Sequence, residues 1–158
     1  MNTHGQAVDS RGRIHAVMWH CTDESLQAAG SKPGDSRWGP PQARRYHHYW
    51  RDESGAWQHT EIPWVAGNRP KLFVGRQDTL YLIYGKRGAL EIAAATARSK
   101  WTDWKVIHTE SGPFGNEMLG DRYRWKRDGV LSVMVQGTPN KDHEPTPLRI
   151  LDFSPENK

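Results

Sequence analysis

Short apolar runs alternate with turn-forming clusters along the whole chain, and one arrangement recurs. Asp9-Ser10-Arg11-Gly12-Arg13 feeds Ile14-His15-Ala16-Val17-Met18-Trp19, and Gly75-Arg76-Gln77-Asp78-Thr79 feeds Leu80-Tyr81-Leu82-Ile83-Tyr84. Lys126-Arg127-Asp128-Gly129 feeds Val130-Leu131-Ser132-Val133-Met134-Val135 in the same register. Gly12, Asp78 and Gly129 stand at the corners, and β-branched, leucine and aromatic residues follow each, which predicts hairpins. The spacings exceed the usual blade repeat of about 40–50 residues. The surplus falls in a loop over 21–44, rich in Gly, Pro, Ser and Ala.

The middle repeat resolves into strands over 70–74, 80–84, 90–95 and 104–109. Four short antiparallel strands with tight turns make one propeller blade. Ala93-Ala94-Ala95 sits between turn signals and is read as strand rather than helix. The first unit gives strands over 6–9, 14–19, 46–51 and 57–62, and the third over 123–125, 130–136 and 148–153. The expected fold is all-β, a partial β-propeller of about three blades over about 2–64, 67–110 and 114–154. Three blades leave sheet edges and apolar faces in water. Closing the ring therefore calls for further N-terminal blades or for self-association.

Composition agrees with many strands and turns: 15 glycines, 10 prolines and 8 tryptophans, with 35% hydrophobic and 25% charged residues. No apolar stretch reaches the roughly 18 residues of a membrane span, so no membrane partner is expected. The start carries no basic, then apolar, leader pattern, so an extracellular or periplasmic location depends on a signal peptide further upstream. Cys21 is the one cysteine, which excludes an internal disulfide. A net charge of +4 favours anionic partners. Basic residues are scattered and nucleic-acid motifs are absent, so nucleic acid is not the expected partner.

Four ordered motifs carry a family resemblance: Gly12-Arg13-Ile14-His15-Ala16-Val17-Met18-Trp19-His20, Tyr46-His47-His48-Tyr49-Trp50-Arg51-Asp52, Asn68-Arg69-Pro70-Lys71-Leu72 and Asp121-Arg122-Tyr123-Arg124-Trp125. Together they resemble the BNR-repeat seven-bladed propellers, a group that includes the ulvan lyases of polysaccharide lyase families 24 and 25. The resemblance implies a cleft that binds an anionic uronate polysaccharide and cleaves it by β-elimination. It implies histidines and a tyrosine as base and acid, matched here by His20, His48 and Tyr123, with Arg69 or Arg122 near the uronate carboxylate. Asn68, Asn116 and Glu117 would line the same cleft. Family members carry a structural zinc on histidine and cysteine; with Cys21 alone that site is not expected here, and neither is any other cofactor.

The chemistry of β-elimination suits these residue types. The carboxylate must be neutralised as charge spreads onto it, which suits arginine. The base must be unprotonated near neutral pH, which suits histidine. In a propeller the connections between blades and between second and third strands open on one face. His20, His48, Arg69 and Tyr123 are therefore expected at one mouth. Strand parity puts Tyr46, His48 and Trp50 on one face and His47 and Tyr49 on the other; parity does not choose between the two histidines, and the motif selects His48. His15 is read as a packed histidine. Asp52-Glu53-Ser54-Gly55-Ala56-Trp57 resembles an Asp-box turn with a wedging tryptophan, a role also expected of Trp101 and Trp104. Two alternatives stand beside the lyase: a non-catalytic carbohydrate-binding propeller, and a sialidase-like hydrolase using Tyr123 and Glu117.

Overall fold

The computed structural model of the protein describes residues 4–32, 34, 39–115, 117–139, 141–142 and 144–155. The first sheet joins β1 (His4–Val8), β2 (Ile14–His20), β3 (Arg45–Arg51) and β4 (Trp57–Val65) in chain order. The second joins β5 (Lys71–Val74), β6 (Leu80–Lys86), β7 (Ala89–Ala95) and β8 (Lys105–Glu110) in the same way. The third has β9 (Leu119–Gly120) and β11 (Leu148–Phe153) flanking β10 (Leu131–Gln136). All pairings are antiparallel. The architecture is all-β and propeller-like, with no sheet closed on itself.

The second sheet lies between the other two, and the burial of its strands follows from that. Leu80, Leu82 and Tyr84 of β6 join Val17, Tyr46 and Trp50 of the first sheet in one apolar layer. Tyr81 and Ile83, of opposite parity, join Leu131, Val133 and Val135 of the third sheet in another. A strand buried on both faces reads as a continuous apolar run. Ala93, Ala94 and Ala95 sit in β7 between the same layers, where small side chains let the sheets approach.

β1, β5 and β9 are the inner strands. β1 comes so near β5 that a Cβ on Gly5 would lie 2.8 Å from the Leu72 backbone nitrogen, so only glycine fits. The turns after the inner strands meet at one end, here the lower end. Ser10 donates from its backbone N–H and hydroxyl to the Asp78 carboxylate at 2.8 Å each, and the Trp101 indole donates to the Asp78 carbonyl at 2.8 Å. The described residues of the connections from β2 to β3, β4 to β5, β6 to β7, β8 to β9 and β10 to β11 lie at the opposite, upper end, tied by Asn68 N–H to Gly85 O (2.7 Å) and Phe114 N–H to Gly88 O (2.9 Å).

Three expectations need correction. Residues 123–125 are not a strand: they lie in helix α2 (Arg122–Asp128), and the inner strand of the third sheet is the two-residue β9 before it. Asp121 caps the helix by accepting from the N–H groups of Tyr123 and Arg124 at 2.9 Å, and Gly129 ends it with φ +68°. Gly129 is thus a helix C-cap and not a hairpin corner. The loop 21–44 also holds a short helix, α1 (Asp23–Ala28), capped by Thr22. The Asp52 turn closes on its own carboxylate, which accepts from the N–H groups of Ser54 (3.0 Å) and Ala56 (2.9 Å). Its tryptophan does not wedge: Trp57 is 60% exposed, whereas Trp101 and Trp104 are buried.

Candidate functional site

Antiparallel partners share a sheet face, so the β2–β3 register decides which side chains meet. Met18 opposes His47, Ala16 opposes Tyr49 and His20 opposes Arg45, all on the outer face of the first sheet. His59 joins them from β4, opposite Tyr49. There His20 Nε2 lies 2.9 Å from the Tyr49 hydroxyl. The His20 and His47 rings stack at 3.5 Å between centroids, and His47 Nδ1 lies 2.9 Å from His59 Nε2. Three strands thus bring three imidazoles and a phenol together near the upper end.

Their electrostatics follow from position. Burial lowers the pKa of His20, outweighing a backbone hydrogen bond at Cys21 and the Glu61 carboxylate, which pull upward. Burial, reinforced by the neighbouring His20 and His59, lowers His47 to about 4. Burial raises Tyr49 above its ordinary 10.0. At neutral pH the His20 imidazole is uncharged and Tyr49 is a protonated phenol. A neutral imidazole beside a protonated phenol can offer one base and one acid to a group held between them.

His48 is elsewhere, and its expected place at a shared mouth is corrected. It opposes Val17 on the inner face and is fully buried. Its Nε2 lies 3.0 Å from His15 Nδ1, and His15 Nε2 lies 3.2 Å from the Asp9 carboxylate. Arg13 Nε donates to that carboxylate at 2.6 Å. Trp101 and Trp104 meet the His48 ring edge-on. Burial, then the neighbouring His15 and His59, lower His48 to about 3. It is a neutral imidazole in a core network, closed to any polymer. His20 points to the other side of the same sheet.

Tyr123 is corrected as well. It is 89% exposed on α2 at the lower end, remote from His20. Arg122 is beside it, donating to the Gln6 carbonyl at 3.1 Å with its guanidinium 5.2 Å from the centre of the Phe73 ring. Arg69 and Glu117 do meet at the upper end, as a 2.7 Å ion pair joined by Lys71 at 3.8 Å. The Arg69 charge is therefore answered by Glu117. The Asn68 carbonyl accepts from the Tyr46 hydroxyl. Asn116 lies outside the described residues. Tyr123 and Glu117, the pair of the hydrolase alternative, stand at opposite ends.

Among the described residues, no group of three or more His, Cys, Asp or Glu side chains is arranged to hold a metal ion. Burial raises the Cys21 thiol, which keeps it protonated and a poor ligand. Sequence reasoning passed over Tyr49, His47 and His59. The usable signal was the β2–β3 register, which places His47 and Tyr49 on the His20 face as soon as His20 is set opposite Arg45. No family model and no curated protein matches the chain.

Proposed function

We propose that this chain is the working part of a carbohydrate-active propeller that cleaves a uronate-containing anionic glycan by β-elimination, through His20 and Tyr49. The observation that carries the reading is their 2.9 Å contact between groups whose pKa values are pushed in opposite directions. In the proposed step His20 Nε2 takes the proton beside the uronate carboxylate. Tyr49 gives its proton to the departing glycosidic oxygen as that carbon–oxygen bond breaks and a carbon–carbon double bond forms. This leaves an imidazolium beside a phenolate, and a proton passing directly between them restores both. Arg45, opposite His20 in register and 4.0 Å from Glu61, is the guanidinium best placed to steady the carboxylate. The partner is an anionic polysaccharide. Val8, Ile14 and Trp57 share the outer face of the first sheet with His20 and Tyr49, a face left open to substrate in this reading, while Leu148 and Ile150 on the outer face of the third sheet would be covered by further blades or a second copy.

Purified protein incubated with uronate glycans should generate the ultraviolet absorbance of an unsaturated uronate, and His20→Ala should lose it. The pairing of Arg69 with Glu117 favours a second reading, a non-catalytic glycan-binding propeller. Binding without absorbance across sulfated and unsulfated uronate glycans would select it.

A further inference from the structure

The lower end holds a feature the proposed elimination does not use. A cavity of about 590 Å³ opens between helix α2 and the ends of β1 and β5. Arg76, Arg122, Lys126 and Arg127 line it, with Asp128 the one carboxylate. Arg127 grips Asp128 through two contacts of 2.7 and 2.8 Å, which satisfies that carboxylate within the rim. Arg122 is held in place by the Gln6 carbonyl and the face of Phe73. A guanidinium fixed before a ligand arrives loses little freedom on binding. The floor is set by backbone, because the Trp125 indole donates to the Val74 carbonyl at 2.7 Å.

We infer that this cavity is a second anion-binding site, which takes a sulfated or carboxylated sugar unit. Its size falls within the roughly 300–1,000 Å³ of small-ligand sites. Nucleic acid fits less well, because single-strand binding relies on open aromatic platforms. Here Phe73 is covered by Arg122, and the indole N–H of half-buried Trp125 is committed to backbone. The choice of sugar rests on the proposed glycan function; the anion site does not. Since it is at the opposite end from His20, it would anchor a chain or a neighbouring strand without taking part in cleavage.

The test is calorimetric titration of the full chain with a monosulfated hexuronyl-hexosamine disaccharide, a neutral disaccharide and a short single-stranded DNA. The sulfated sugar should bind, and more weakly as salt is raised, while the neutral sugar should not. Arg122→Gln combined with Lys126→Gln should lower that affinity by about tenfold or more, with an unchanged circular dichroism spectrum. Lys126→Gln alone, on an exposed position, should show part of the loss. Unchanged affinity in both variants, or DNA binding as tight as the sulfated sugar, would overturn the inference. Inorganic sulfate titrated alone, which is no substrate for elimination, should show the same loss in the double variant, so absent turnover and absent anion binding are separate failures.

Discussion

His20 and His48 show how one residue type takes two roles by facing opposite sides of one sheet. Outside, His20 is half-buried and touches an ionisable hydroxyl; inside, His48 is sealed among rings. The pKa of His20 lies below its ordinary 6.5 and that of Tyr49 above 10.0. Elimination should therefore rise on a limb below pH 6.5, hold level, and fall only above pH 10. A pH–rate profile checks this; an acid limb centred above pH 6.5 would assign the base to another group. His48 is neutral when folded down to about pH 3, whereas an unfolded histidine gains its proton near 6.5. Between these values the unfolded chain binds more protons, so stability is present above pH 6.5 and falls as pH falls toward 3. Each such histidine contributes up to about 1.4 kcal/mol per pH unit. Urea unfolding from pH 6.5 to 4.5 should show a shallower decline in His48→Gln than in the wild type.

At the scale of elements, helix α2 depends on its ends. Asp121→Ala removes the acceptor for two N–H groups and should cost about 1 kcal/mol, measured by urea unfolding. The sequence already carried this information. Asp121 and Gly129 bracket the segment as a helix start and stop, and Arg124 and Asp128 are an i, i+4 pair at 3.9 Å. The repeat of strands along the third unit pointed to a strand at 123–125, and the capping chemistry prevailed. The central strands were legible because β6 is apolar on both faces. The outer-face cluster was less so. Parity left His47 and His48 equal, and only the register with β2 put His47 beside His20. Arg122 kept its charge but moved to the other end with the helix that carries it.

For the whole molecule, three sheets share two apolar layers and leave an outer face at each side. Leu148 and Ile150 are 58% and 65% exposed on one, and Trp57 is 60% exposed on the other. The Leu148–Ile150 patch marks a surface that needs covering, whereas the Trp57 face carries His20 and Tyr49 and stays open to substrate in the proposed function. If a second copy covers the Leu148–Ile150 face, sedimentation should give a self-associated species that Ile150→Asp shifts to monomer. A monomer for the unaltered chain would leave further blades as the cover. In the proposed function the work is divided between the His20–Tyr49 pair on the outer face and the cationic cavity at the lower end.

The most direct measurement compares two tyrosine variants on one uronate glycan. Tyr49→Phe should lower the rate of unsaturated product formation by about 100-fold, and Tyr123→Phe should leave it within about twofold. The reverse pattern, with Tyr123 required and Tyr49 dispensable, would contradict the account.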